Sequence, residues 1–316
     1  MTQKRHIVII GNGIAGITCA RNIRKKSRDN ITIISSESKH FFSRTALMYV
    51  YMGHMKYDNI KPYEDWFWEK NNLNLVHDHV IKVDTKSKFL EMAHGGITRY
   101  DILIIATGSK TKKYGWPGQD IEGICGLYSL QDIETIKNNT LNTRSAVIIG
   151  GGLIGVELAE MLHSKKIDVT FLIREKNFWD GVLPFEEAQM IGNHIEQHGI
   201  KMLYETELKE FISGNDGKVK SVITNKGDEI PCGFAGITTG VEPNIDFLTD
   251  SDIEIDMGVL IDQCFETTVP GVYAIGDCAQ FINPVKNRKS IEQVWYTARM
   301  HGETLAQTLC EKKNGI

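Results

Sequence analysis

Two glycine-rich turns, GNGIAG at residues 11–16 and GGGLIG at 150–155, carry the strongest chemical signal in this chain. In such a turn the first glycine permits a tight reversal. The second lets the backbone approach a pyrophosphate, and the third lets a helix pack closely on a strand. Gly11, Gly13 and Gly16 take these places in the first copy, with Ala15 between them; Gly150, Gly152 and Gly155 take them in the second, around Leu153 and Ile154. The phosphate belongs at the N-terminus of the following helix, where free N–H groups and the dipole favour an anion. An acidic side chain about 20 residues further on should hold a ribose hydroxyl. Ser35, Ser36 and Glu37 stand there after the first turn, and Arg174 and Glu175 after the second. The arginine suits a 2′-phosphate and the glutamate a free 2′-hydroxyl, so NADH and NADPH both stay open. Two dinucleotide sites in one chain point to electrons passing from one to the other.

The flanking sequence supplies the elements that must position these turns. HIVII (6–10) is a continuous apolar, β-branched run ending at glycine, which predicts a parallel strand buried on both faces. IAGITCARNIRKK (14–26) has helical spacing, and ITIISSE (31–37) predicts the next strand. The unit repeats as SAVII (145–149), VELAEMLHSKK (156–166) and DVTFLI (168–173). VYAIGD (272–277) predicts a short buried strand ending at Gly276, so that Asp277 lies at a strand's C-terminal end, where open α/β sheets place their ligands; an N-cap is its bland alternative. Trp66, Phe67 and Trp68 predict a short helix of core aromatics.

Composition bounds the function class. The 316 residues suggest about two domains. With 41% hydrophobic and 24% charged residues the chain reads as an ordinary soluble globular protein, and a net charge of −4 argues against a nucleic-acid-coating surface. The apolar run after the first basic residues reaches Gly11 too soon for a secretory signal, and no long apolar span predicts a membrane crossing, which together point to the cytoplasm. The six cysteines are scattered without a CxxC pair and read as free buried thiols; neither they nor His77 and His79 have metal-ligand spacing.

Further stretches carry a family resemblance. YDILIIATGS (100–109, with Ala106, Thr107 and Gly108), WPGQDIEG (116–123), TTGVEPN (238–244, with Gly240) and VPGVYAIGDCAQ (269–280, with Gly276 and Asp277) resemble, in order, the segments of the FAD-dependent pyridine nucleotide-disulfide oxidoreductases. The resemblance implies an α/β protein of two Rossmann-like, glutathione-reductase-type dinucleotide-binding domains, with the NAD(P)H domain (113–238) inserted into an FAD domain (1–112 and 239–316). It implies FAD and NADH or NADPH as cofactors, hydride passing from nicotinamide to flavin, Asp277 accepting a ribitol hydroxyl and the Val80 backbone meeting the adenine. Gly155, where some NADP-binding relatives have alanine, favours NADH. The resemblance implies a C-terminal interface domain that this sequence does not include, either because the protein is a short form or because the chain stops before it at a charged tail, EKKNGI; this leaves the oligomeric state open, a dimer being one option.

The loop HFFSRTALMYVYMG (40–53) selects a branch. Thr45 stands where the coenzyme A disulfide and peroxide reductases carry a cysteine, and threonine forms no thiolate. Phe42, Ser43 and Arg44 instead resemble the aromatic-x-Arg-Pro loop of rubredoxin and ferredoxin reductases and of apoptosis-inducing-factor flavoproteins, which makes Arg44 the candidate for a flavin or pyrophosphate contact. Tyr49 replaces that branch's lysine, leaving Glu157 without its usual cation and facing either the nicotinamide carboxamide or simply the first turn of its helix. IEQVWYTARMHG (291–302) resembles the family helix that aims its N-terminus at the flavin, with Trp295 beside it and His301 in place of glutamine. These features imply an NAD(P)H oxidoreductase passing electrons to a separate acceptor, a small rubredoxin- or ferredoxin-like protein, quinone or oxygen. The alternatives are a thioredoxin-reductase-like ferredoxin–NADP reductase and a redox-sensing flavoprotein that signals through its reduced state.

Overall fold

The computed structural model describes residues 4–311; the residues before Lys4 and the end of the charged tail lie outside it. Two compact units divide the chain. One comprises the residues up to Ser43, Lys61–Lys110 and those from Glu242 onward, and the other comprises Arg44–Ile60 and Thr111–Val241.

In the first unit five parallel strands run in the order Val272–Ala274, Ile102–Ile105, His6–Ile10, Asn30–Ser35, Leu73–His77. The central strand and its neighbours bury Ile7, Ile9, Ile33, Leu103 and Ile104 almost completely, each worth about 2 kcal/mol of transfer free energy. That burial is why these segments read as unbroken apolar runs instead of alternating ones. The helix Ile14–Lys26 follows the first glycine turn, ends on three basic residues that complement its dipole, and packs against the last helix, Trp295–Glu311. A three-stranded antiparallel meander, Val80–Asp84, Phe89–Met92 and Ile97–Arg99, completes the unit.

The second unit repeats this plan. Its parallel order is Lys201–Leu203, Asp168–Leu172, Ser145–Ile149, Phe234–Ile237, Ile124–Cys125, and its antiparallel meander is Leu208–Ser213, Val219–Thr224, Glu229–Pro231. The helix Leu153–Ser164 follows the second glycine turn. In each sheet the strand before the glycine turn sits between the strand that follows it in sequence and one added much later. The direction of winding therefore reverses beside the turn, which is where open α/β sheets bind ligands.

Several expectations change in detail. Of the three aromatics in the Trp66–Lys70 helix only Trp68 is buried, while Trp66 is 59% exposed; the helix is too short to bury more than one face. All six cysteines are free, as expected, but Cys264 is exposed and Cys125 half-buried. The helix read from Ile291 begins at Trp295. No described helix is long and apolar enough to cross a membrane.

Candidate functional site

The first cradle is built from backbone that only glycine permits. Gly11 has φ of +109°, and a Cβ there would stand 2.1 Å from the Ala106 carbonyl oxygen. A Cβ on Gly16 would stand 2.2 Å from the Gly11 carbonyl oxygen, which is the close helix–strand approach the spacing implies. Gly13 differs, because nothing lies within 4 Å of its Cβ position. It is the N-cap of the Ile14–Lys26 helix, carries no side-chain cap, and leaves the helix's first N–H groups to face that open space. Asn12, buried, holds the turn by donating from Nδ2 to the Ser38 carbonyl at 2.8 Å.

The other first-unit candidates gather around this opening. Ser35 closes the second strand and is buried; its Oγ accepts the Glu37 N–H at 3.3 Å, fixing the turn that carries Glu37. Ala106 donates its N–H to the Ile10 carbonyl, Thr107 donates its hydroxyl to the Asn244 carbonyl at 2.7 Å, and Gly108 has φ of +68°. Gly276 and Asp277 form a single 3₁₀ turn after the Val272–Ala274 strand, and a Cβ on Gly276 would come within 3.0 Å of Ala15. Val80 is buried at the start of the meander. Trp295 opens the last helix, partly exposed, with its ring edge-on to Tyr296.

Asp277 is oriented by residues the sequence reading did not single out. Ser109 Oγ donates to Asp277 Oδ2 at 3.2 Å, and Gln293 Nε2 donates to Ser109 Oγ at 2.9 Å. Below it, His301 Nδ1 accepts the Gly276 N–H at 3.2 Å, between the rings of Phe265 and Phe281. Burial lowers the His301 pKa to about 4, so the ring is neutral and carries its proton on Nε2. Ser109 directly follows the ATG turn and Gln293 lies inside the IEQVW stretch, so both were adjacent to recognised residues; only their meeting was not legible.

The second cradle has the same construction. Gly150 has φ of +110°, and a Cβ there would stand 2.8 Å from the Thr238 carbonyl oxygen. A Cβ on Gly155 would stand 2.6 Å from the Gly150 carbonyl oxygen and 3.0 Å from both Phe171 and Thr238 Oγ1. The close approach of helix and strand by itself accounts for glycine at 155. At Gly152, N-cap of the Leu153–Ser164 helix, the Cβ position touches nothing closer than Trp179, 3.9 Å away. Leu153 is exposed and Ile154 half-buried at the helix start. Thr239 Oγ1 is buried beside this turn without a partner, and Gly240 has φ of +119° with open space around it.

Glu157 sits in the second turn of its helix, past the reach of the first-turn N–H groups. Burial, and then the neighbouring Glu160, raise its pKa above the usual carboxylate range. Arg174 Nε and Nη2 donate to Glu175 Oε1 at 3.1 and 2.7 Å. The two side chains that pointed to opposite cofactors thus hold one another. Arg44 donates from Nη1 to the Tyr128 carbonyl at 2.5 Å and lies 4.5 Å from the centre of the Tyr128 ring. With Thr45 and Tyr49 it belongs to the second unit, and Tyr49 packs on His54.

Residues 5–302 match the family pattern described as pyridine nucleotide-disulphide oxidoreductase. The chain belongs to that family. It is 30% identical over 281 residues to the nitrite reductase [NAD(P)H] of Bacillus subtilis (strain 168), covering 88% of this chain and 34% of that one. The chain thus spans about a third of that relative's length. It is 25% identical over 307 residues to the rubredoxin-NAD(+) reductase of Ectopseudomonas oleovorans, covering 96% and 80% of the two chains. The crystal structure of a ferredoxin reductase from Rhodopseudomonas palustris superposes with a TM-score of 0.90 at 23% identity, covering 97% of this chain and 76% of that one. That likeness concerns the fold, which is the α/β arrangement with two Rossmann-like halves that the sequence implies.

Both cradles fit a dinucleotide. Each offers an uncapped helix start behind a glycine whose missing side chain leaves room for a phosphate. Among the described residues no group of three or more His, Cys, Asp or Glu side chains is placed to hold a metal ion.

Proposed function

We propose that the chain is an FAD-dependent NAD(P)H oxidoreductase that passes electrons to a separate acceptor of the rubredoxin or ferredoxin kind. The observation that carries this reading is the pair of cradles with open middle glycines, Gly13 and Gly152, one in each unit. FAD belongs to the first and the nicotinamide dinucleotide to the second. Residues 1–112 and 239–316 then serve FAD, apart from Arg44–Ile60, which cluster with the second unit, and 113–238 serve NAD(P)H. Bound flavin supplies acceptance of two electrons as hydride and their release one at a time.

The chain's own residues bind and orient. The N–H groups behind Gly13 take the FAD phosphates and Glu37 takes a ribose hydroxyl. Asp277, steadied by Ser109 and Gln293, accepts from the ribitol chain. In the second unit the N–H groups behind Gly152 take the nicotinamide dinucleotide's phosphates, Arg174 and Glu175 meet its adenosine ribose, and Glu157 meets the carboxamide. Thr45 in place of a cysteine removes any thiol relay, so electrons leave from the flavin directly. The protein works in the cytoplasm, where such acceptors and NAD(P)H occur.

Gly13→Val should fold and lose flavin, whereas Gly152→Val should keep flavin and lose its rapid reduction by NADH or NADPH. The 450 nm absorbance of the purified variants and stopped-flow bleaching measure the two effects. Normal bleaching in Gly152→Val would refute the assignment of the second cradle.

A further inference from the structure

Trp179 stands against the second glycine turn. The chain leaves the Asp168–Leu172 strand and reaches Phe178, which is buried beside Gly192 of the Phe185–Gln197 helix. The next residue turns the other way. Trp179 has φ of +52°, a left-handed conformation uncommon for a bulky side chain. Such conformations persist where surrounding bonds over-determine them. Here the Trp179 N–H donates to the Gly151 carbonyl at 3.0 Å, while its carbonyl accepts the N–H groups of Val182 and Leu183 at 3.0 and 3.1 Å. The backbone at Trp179 is therefore tied to the middle of the glycine turn. Its indole Nε1 lies 3.9 Å, and Cδ1 4.0 Å, from the Cβ position of Gly152. Among the described residues these are the only heavy atoms within 4 Å of that position, apart from the turn itself.

We infer that the Trp179 indole forms the outer wall of the second cradle and donates its Nε1–H to the diphosphate of the nicotinamide dinucleotide. The inference rests on the reading of that cradle given above. It adds a donor from a loop after the second strand to the backbone N–H groups at the helix start. The strained backbone is the device that turns the indole edge toward the turn instead of into the core beside Phe178. Because the diphosphate is common to NADH and NADPH, this contact serves either cofactor and selects neither.

The test uses the flavin-loaded oxidised protein titrated with NAD⁺, NADP⁺ and ADP-ribose, followed by calorimetry and by tryptophan fluorescence. Trp179→Phe keeps the apolar ring and removes the N–H. A hydrogen bond to a charged acceptor is worth about tenfold or more in affinity, so Trp179→Phe should weaken all three ligands by about tenfold and by the same factor. Trp179→His, which restores an N–H donor, should recover part of the loss. Subtracting the Trp179→Phe signal isolates this indole from the other four tryptophans, and its emission should fall on ligand binding. Equal affinities in wild type and Trp179→Phe, or a ligand-insensitive difference signal, would overturn the inference. Gly152→Val serves as the control: if it binds all three ligands as wild type does, the dinucleotide reading of this turn fails, and the proposal for Trp179 fails with it. If Gly152→Val loses binding while Trp179→Phe does not, only the proposal for Trp179 falls.

Discussion

At Glu157 a single carboxylate is made to titrate late. Its pKa lies above the unfolded value of 4.5 because burial and Glu160 both oppose the charge. The native state therefore holds this proton more tightly than the unfolded chain does. The resulting stability is present below pH 4.5 and is lost as pH rises through the native value. Glu157→Gln keeps the shape and removes the charge. At pH 7 the variant should melt no lower than wild type, which thermal unfolding checks. Wild-type flavin reduction should show an ionisation above the ordinary carboxylate range, and the variant's pH–rate profile should lack it. At this scale the two glycine turns were legible because glycine punctuates so strongly: Gly11 and Gly150 are in a conformation no other residue adopts easily. Arg174 and Glu175 were legible as residues but not as a pair, since their bond depends on two exposed rotamers that no spacing encodes.

Among the elements, the last helix does most to join sequence-distant parts. A Cβ on Gly302 would stand 2.5 Å from the Ala15 carbonyl oxygen, so this helix lies directly on the one behind the first glycine turn. One residue earlier, His301 supports the turn that carries Asp277. Its pKa of about 4 lies below the unfolded value of 6.5, with Glu292 opposing the shift and Arg288 adding to it. The unfolded chain takes up a proton as pH falls through 6.5 and the folded chain does not, so stability should fall between pH 6.5 and 4 by on the order of 3 kcal/mol and level off below. His301→Gln supplies a carbonyl for the Gly276 N–H and should abolish that component. Urea midpoints at pH 7 and 5, with flavin retention read alongside, measure it. The helix behind the first glycine turn could be placed to the residue from its glycine boundary, whereas the second, read as 156–166, spans Leu153–Ser164. The last helix could not be placed in this way. Glu292, bonded to Arg288 and Thr297, precedes its start, and no glycine or proline marks Trp295 as the first residue. Nor does any pattern announce that Gln293, Ser109 and Asp277, up to 184 positions apart, share a hydrogen-bond chain.

For the molecule as a whole the consequence lies in electron flow. On the function proposed above, with no thiol at position 45, the acceptor takes electrons from flavin itself. Under anaerobic steady state, NAD(P)H oxidation should be at least about tenfold faster with a rubredoxin or ferredoxin than with oxygen after re-aeration, a difference worth about 1.4 kcal/mol in barrier. A slow reaction with every protein acceptor, joined to a long-lived reduced state, would favour the signalling alternative. The duplication of sheet, glycine turn and meander explains why fold class was readable from sequence: each half repeats the same punctuation. That Arg44–Ile60 clusters with the second unit was not readable, since it depends on packing of the Leu47–Met52 helix near the Leu130–Thr140 and Leu153–Ser164 helices.

The seat of Gly302 on Ala15 also sets an order of events at the ribosome. The helix that covers the one behind the first glycine turn is translated long after that turn. Most of the second unit, residues 111–241, is contiguous and can close while synthesis continues. The helix Ile14–Lys26 therefore waits with the face under Gly302 uncovered until, nearly three hundred codons later, its partner helix arrives.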